Sequence, residues 1–189
     1  MITINKITTK TGDSGKTLGP EMKSTGKFEP QIEVIGKIDE LNAFLGQIIG
    51  SQTIAILGKR KILKIITEIQ HQLFDIGSMF FTQDAEKCIQ LIDFLEKHIL
   101  EYSKNAPTLD SFLLPQGGFG VKKFIASLHI ARSSARTAER IFWKNYFEDE
   151  MKNAKTKNIG IYLNRLSDLL FAIIRKYSTK KWVPLIKRL

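Results

Sequence analysis

The chain has 189 residues and a formal net charge of +10. With 43% hydrophobic and 25% charged residues it has the composition of one folded domain, which at this length buries roughly 70% of its unfolded surface without covalent staples. The single cysteine, Cys88, excludes an internal disulfide and a cysteine-based metal cage, and no apolar run reaches the roughly 20 residues of a membrane span. The N-terminal Met1-Ile2-Thr3-Ile4-Asn5-Lys6 has no apolar signal core, so a cytoplasmic location is expected. The positive charge suits nucleic acid, an anionic membrane or a small polyanion, and equally a protein that is merely basic. Its denser stretches, 58–64 and 175–188, lack the interleaved aromatics on which single-stranded bases stack, so charge alone does not choose a partner.

Residues 1–35 are rich in Thr, Gly and Lys, include Pro20 and Pro30, and show no helical period. They read as a short strand-like start followed by a loop. From Lys37 the pattern becomes helical, with Ile38, Leu41, Ala43, Phe44, Leu45 and Ile48 in a broad apolar stripe. A second helix is expected over about 59–80, carrying Ile62, Leu63, Ile65, Ile66, Ile69, Leu73, Phe74 and Ile76. A third, over about 85–102, carries Ile89, Leu91, Ile92, Leu95 and Ile99, and ends at Asn105-Ala106-Pro107. The apolar Phe112-Leu113-Leu114-Pro115 leads into a Gly-rich turn, and a long fourth helix is expected over about 121–146. After a polar, loop-like segment at 149–158, a fifth helix is expected over about 161–177. Five helices with short connections and no second credible strand pair point to an all-α bundle with an N-terminal irregular or short-strand segment. A single domain over 1–189 is expected, divided into an N-terminal segment 1–35, a bundle 37–178 and a tail 179–189.

Three segments hold residue types suited to chemistry. In Thr8-Thr9-Lys10-Thr11-Gly12-Asp13-Ser14-Gly15-Lys16-Thr17, the run Gly15-Lys16-Thr17 resembles the end of a phosphate-binding P-loop. That pattern needs glycine where Lys10 stands and a helix where Leu18-Gly19-Pro20 stands, so it does not apply. Glycines, hydroxyls and ammonium groups remain that could surround a polyphosphate, or simply form a solvated loop.

On the fourth helix Arg132, Arg136 and Arg140 recur every four residues, a row that drifts by about 40° per step, with Glu139 on the same side. Guanidinium forks match phosphate oxygens, so this row could clamp a triphosphate. It could also be an exposed face of local ion pairs. Ala131, Ala135, Ala138 and Phe142 form an adjoining apolar stripe whose small side chains admit a close neighbour. Asn164-Arg165-Leu166-Ser167-Asp168 sets a polar cluster beside an apolar helix, fit for a ligand or for a local network. Asp39-Glu40 reads as favourable charge at a helix start. His71, His98 and His129 lack metal-ligand spacing, and no Ser-His-Asp or Cys-His arrangement is present.

Taken in order, these segments resemble the PduO-type ATP:cob(I)alamin adenosyltransferases. Lys10-Thr11-Gly12-Asp13-x-Gly15 is similar to the N-terminal loop of that family, and Gly36-Lys37-Ile38-Asp39-Glu40-Leu41-Asn42 to its first helix motif. Ile69-Gln70, Leu73-Phe74-Asp75-Ile76-Gly77, Phe112-Leu113-Leu114-Pro115, Leu128-His129-x-x-Arg132, Ala138-Glu139-Arg140 and Asn164-Arg165-Leu166-Ser167-Asp168 follow in the same sequence. Thr137 stands where the family commonly has a second arginine, Thr8 where it has tyrosine, and the stretch from Gly118 to Leu128 is longer by about one helical turn.

The resemblance implies a homotrimer of five-helix bundles that transfers the 5′-deoxyadenosyl group of ATP to Co(I) of a reduced corrinoid, giving adenosylcobalamin and triphosphate. It implies ATP as co-substrate, cobalamin as substrate and Mg²⁺ as companion of ATP. It implies that Thr9, Lys10, Thr11, Gly12, Thr17 and Lys27 bind ATP from one subunit, and that Arg136, Glu139, Arg140 and Asn164 complete the site from its neighbour. Asp39 and Arg132 would pair between subunits, and Phe112 would exclude the lower axial base of the corrinoid. A corrinoid reductase and an adenosylcobalamin-dependent enzyme are the implied partners, with no role for nucleic acid or membrane. Three alternatives stand beside this reading: a corrinoid-binding paralogue without turnover, a basic helical protein that binds nucleic acid, and an ATP hydrolase that would release ADP and phosphate.

Overall fold

The computed structural model describes residues 7–19, 22–50, 60–82, 85–104, 106, 108–109, 111–116, 122–148 and 156–178. Two antiparallel strands, β1 (Lys16–Leu18) and β2 (Ser24–Gly26), precede the helices α1 (Pro30–Gly50), α2 (Arg60–Thr82), α3 (Cys88–Ser103), α4 (Lys122–Glu148) and α5 (Lys157–Tyr177). Residues 1–6, the Gly-rich turn at 117–120 and the tail 179–189 lie outside the described residues.

The short-strand character expected within 1–35 takes the form of a hairpin, pairing Lys16 with Gly26, Thr17 with Thr25 and Leu18 with Ser24, while two helix starts differ from the sequence expectation. A β-branched pair at its centre favours the extended backbone. Gly19 lets the chain pass Thr25, since a Cβ there would stand 2.4 Å from Thr25 Cγ2. Helix α1 begins at Pro30, seven residues before Lys37, so it cuts into the segment expected to be loop over 1–35. Proline is preorganised for a first helical turn, Glu33 suits its dipole, and Asn145 on α4 donates to the Pro30 carbonyl at 3.0 Å. Asp39 and Glu40 therefore lie mid-helix, and the helix-start explanation for their charge falls away. Helix α5 begins at Lys157, inside the segment expected as loop over 149–158, because Ile159, Gly160 and Tyr162 are all buried against the bundle.

Helix α1 packs on α2 and α4, α4 packs on α5, and α5 on α3. The core combines Leu41, Leu45 and Ile48 of α1, Ile66, Ile69 and Leu73 of α2, Phe124 and Phe142 of α4, and Leu163, Leu166 and Leu170 of α5. Ala131, Ala135 and Ala138 are fully buried, as the small-residue stripe on α4 predicts. Phe74, Ile89 and Ala43 do not join the core as expected; Phe74 is 69% exposed and Ile89 55%. Each lies one residue beyond a buried position, about 100° off the stripe. Cys88 is buried and donates Sγ–H to the Asn158 carbonyl at 3.3 Å; burial pushes its thiol up to about 12, which leaves it a core residue and not a nucleophile. Among the described residues no helix is long and apolar enough to cross a membrane.

Gly160 marks a close approach of α5 to α4. A Cβ there would stand 2.6 Å from Trp143 Cζ2 and 2.7 Å from Phe142 Cδ1. Overpacking of this kind costs about 1–3 kcal/mol, so Gly160→Ala is expected to lower Tm by roughly 2–12 °C in a scanning calorimeter. An unchanged Tm would mean that the two rings move aside freely.

Candidate active site

The N-terminal loop folds into two overlapping turns. Asp13 N–H donates to the Lys10 carbonyl and Gly15 N–H to the Gly12 carbonyl, both at 3.2 Å. Gly15 has φ +75°, natural for glycine, whereas Lys10 has φ 62°, a left-handed conformation that costs a residue with a Cβ about 1–2 kcal/mol. Strain of this sort is concentrated at ligand-binding segments. Thr9 and Thr11 share a hydroxyl–hydroxyl hydrogen bond of 2.9 Å. The hairpin returns the chain so that Lys27 N–H donates to the Gly15 carbonyl at 2.9 Å. The Lys27 ammonium then lies against Gly12, where a Cβ would stand 2.9 Å from Nζ. Thr9, Lys10, Thr11 and Lys27 thus form one exposed basic, hydroxyl-rich surface, with Gly12 and Thr17 half-buried beside it. Fifteen residues separate Gly12 from Lys27 in sequence, and only the hairpin register joins them.

The second surface runs along α4 and α5. Arg136 and Arg140 are exposed, and Arg140 Nη2 donates to Thr137 Oγ1 at 3.2 Å. Thr137 Oγ1 donates in turn to the Ser133 carbonyl at 3.1 Å, so the residue that departs from the family pattern helps to orient its arginine neighbour. Glu139 and Asn164 are half-buried and joined, Asn164 Nδ2 donating to Glu139 Oε1 at 3.0 Å. Arg165 Nη1 donates to Asn164 Oδ1 at 2.9 Å, and its Nε donates to Glu96 Oε1 on α3 at 2.8 Å. The expected local pair of Arg165 with Asp168 is longer, 3.8 Å.

Arg132 departs from the rest of the row. Its guanidinium lies over the Phe171 ring at 5.5 Å, and its Nε is buried with no hydrogen-bond partner in the chain. Burial first and the nearby Arg136 second lower its pKa from the ordinary value. His129, one turn earlier, is buried with Nε2 also unpartnered, and burial together with Arg132 lowers its pKa, favouring the neutral ring. Asp39 is exposed and borders a groove of about 360 Å³ between α1 and α2, shared with Asn42, Gly46, Gln70, His71 and Phe74. Asp39 and Arg132 therefore occupy opposite flanks of the packed α1–α4 pair and form no ion pair within the chain. Phe112, on the segment 111–116, is 79% exposed, while its neighbour Leu113 packs on the core.

The model of the cobalamin adenosyltransferase family matches residues 7–177, from the N-terminal loop to the end of α5. The chain belongs to the cobalamin adenosyltransferase family. It is 35% identical over 182 residues to a corrinoid adenosyltransferase of Bacillus subtilis, covering 94% of this chain and 89% of the relative. The corrinoid adenosyltransferase MMAB of Bos taurus is 32% identical over 193 residues, covering 96% of this chain and 75% of its own. Among solved structures, a variant of the PduO-type ATP:corrinoid adenosyltransferase of Lactobacillus reuteri, in complex with cobalamin and ATP, superposes with a TM-score of 0.71 at 29% identity, over 90% of this chain and 92% of the other. The five-helix architecture with its short N-terminal hairpin is the fold of this family.

Within this adenosyltransferase fold, sequence reasoning missed the groove between α1 and α2. Asn42 Nδ2 donates to the Gln70 carbonyl at 3.3 Å and Gln70 Nε2 donates to the Asn42 carbonyl at 3.1 Å, a reciprocal pair that holds the two helices together beneath the groove. The signal that could have found it was Phe74, a large aromatic off the apolar stripe of α2.

Proposed function

We propose that the chain transfers the 5′-deoxyadenosyl group of ATP to the Co(I) of a reduced corrinoid, yielding adenosylcobalamin and inorganic triphosphate. The observation that carries this reading is the family match from residue 7 to residue 177, which takes in both polar surfaces and the loop that bears Phe112. The electron pair of Co(I) forms the bond to C5′ of ATP, and the C5′–O pair leaves with the triphosphate. Cobalt is the nucleophile, so the protein needs none, which agrees with a buried Cys88 and no catalytic triad. Its own work is to align the two reactants and to stabilise negative charge on the leaving group.

In this reading Thr9, Lys10, Thr11, Gly12, Thr17 and Lys27 hold ATP from one subunit, and Arg136, Glu139, Arg140 and Asn164 close on it from the next. The two surfaces are built by separate hydrogen-bond sets, one within residues 9–27 and one across α3, α4 and α5. Asp39, exposed and without an ion pair among the described residues, and the half-exposed guanidinium of Arg132 are suited to each other in an adjoining copy; the assembly proposed is a homotrimer. Among the described residues no group of three or more His, Cys, Asp and Glu could cage a metal. A Mg²⁺ accompanying ATP would be carried mainly by phosphate oxygens, where it would neutralise part of their charge. A reductase must supply Co(I), and an enzyme that uses adenosylcorrinoid must consume the product; the cytoplasm is the proposed setting.

The test is an anaerobic assay with reduced cobalamin and ATP that resolves adenosylcobalamin and triphosphate, run beside sedimentation. Adenosylcobalamin and triphosphate in equal amounts from an oligomer are expected. Release of ADP and phosphate, or bound corrinoid without product, would overturn the reaction. A strict monomer with full activity would overturn the shared site. Salt-sensitive binding to DNA or RNA without corrinoid-dependent consumption of ATP would favour the nucleic-acid alternative.

A further inference from the structure

We propose that Glu96 on α3 is a positioning residue for the nucleotide site, acting through Arg165 on the side-chain amide of Asn164. The inference rests on the assignment of Asn164 and Glu139 to ATP. Four residues on three helices form one hydrogen-bonded chain: Glu96 Oε1 accepts from Arg165 Nε, Arg165 Nη1 donates to Asn164 Oδ1, and Asn164 Nδ2 donates to Glu139 Oε1, at 2.8, 2.9 and 3.0 Å.

A carboxamide has a donor end and an acceptor end, and its partners decide which faces which way. Turned over, the Asn164 amide would set NH₂ against the Arg165 guanidinium and oxygen against the Glu139 carboxylate, two repulsive contacts at once. The orientation is therefore fixed as long as Arg165 stays in place. It leaves one Nδ2 hydrogen uncommitted, suited to an oxygen of the nucleotide, and it holds Oε1 of Glu139.

Arg165 is a long side chain with about one third of its surface exposed, and such a group does not stay in one rotamer unaided. Asp168 Oδ2, at 3.8 Å, is beyond hydrogen-bond distance. Glu96 supplies the short, charge-assisted bond that sets the guanidinium fork, one nitrogen to the carboxylate and the next to Asn164. Glu96 is itself half-exposed, so the ion pair adds little to stability. Its effect falls on the site that the fork orients.

The test uses E96A, E96Q, N164A and the double variant E96A/N164A in the full chain, with steady-state kinetics in ATP at saturating reduced cobalamin, ATP calorimetry and thermal melting. E96A is expected to raise KM for ATP roughly three- to tenfold. Its Tm should stay near that of the unaltered chain. E96Q keeps the Oε1 acceptor and is expected to stay close to the unaltered KM. In the N164A background, E96A is expected to add nothing, because the group it positions is gone. Wild-type KM in E96A, or the same increase with and without Asn164, overturns the proposal while leaving the nucleotide site intact. Unchanged ATP binding in N164A itself overturns the assignment of Asn164 and this proposal with it.

Discussion

Arg136→Ala is expected to lower kcat by about a hundred- to a thousandfold while the bundle stays folded. Arg136 is exposed on α4, and no hydrogen bond or ion pair involving it occurs among the described residues, so its loss removes nothing that holds the helices together. Its position matters for charge. It stands between Arg132, which is stacked and partly buried, and Arg140, which is tied to Thr137. That makes Arg136 the member of the row with all its donors available to a leaving triphosphate. Removing one such donor in a charge-developing step commonly costs about 2.7–4 kcal/mol of transition-state stabilisation. Steady-state kinetics beside sedimentation and a melting curve check this. Near-normal kcat and KM for ATP in a folded oligomer would take Arg136 out of the site.

Phe112→Ala is expected to block corrinoid activation and to leave the fold and ATP binding nearly unchanged. A core phenylalanine would lose about 3–5 kcal/mol on truncation to alanine. Phe112 is not such a residue: it is 79% exposed, while its neighbour Leu113 packs on the core. If its ring fills the space below the corrin plane, cobalt loses its lower ligand and is more readily reduced. Without the ring, the base or a water molecule stays on cobalt. Cob(II)alamin spectra with ATP are expected to show a four-coordinate species with the unaltered protein and mainly a five-coordinate one with the variant. A folded variant that gives the four-coordinate spectrum would end the axial role. A loss of stability of core size would contradict the exposure of the ring.

The helical class and most of the core were legible from apolar periodicity, because burial selects residues every third or fourth position whatever the helices pack against. The stripe Ile62, Ile65, Ile66, Ile69, Leu73 and Ile76 is buried throughout, and the small residues Ala131, Ala135 and Ala138 are covered as their size requires. The residue types for charge stabilisation were legible as well, since arginines every four residues must share one side of a helix. Boundaries were less legible. The starts of α1 at Pro30 and α5 at Lys157 depend on contacts with α4, such as Asn145 to Pro30 and Gly160 to Phe142 and Trp143, which no local pattern encodes.

Periodicity and residue type were enough for the bundle, the family it resembles and the kinds of side chain available for binding a triphosphate. Which of these side chains meet depends on how the helices pack. Lys27 reaches Gly12, fifteen residues away in sequence, because the hairpin brings them together, and Glu96 is linked to Asn164 through Arg165 because α3 packs on α5. Asp39 and Arg132 are held on opposite flanks of α1 and α4, with Arg132 stacked on Phe171. Phe74 and Phe112 stand at the surface, although their hydrophobicity alone would bury them. The reason is common to all of these: side-chain chemistry is a local property of the chain, whereas proximity and exposure are set by how whole helices pack, and that depends on residues far apart in sequence.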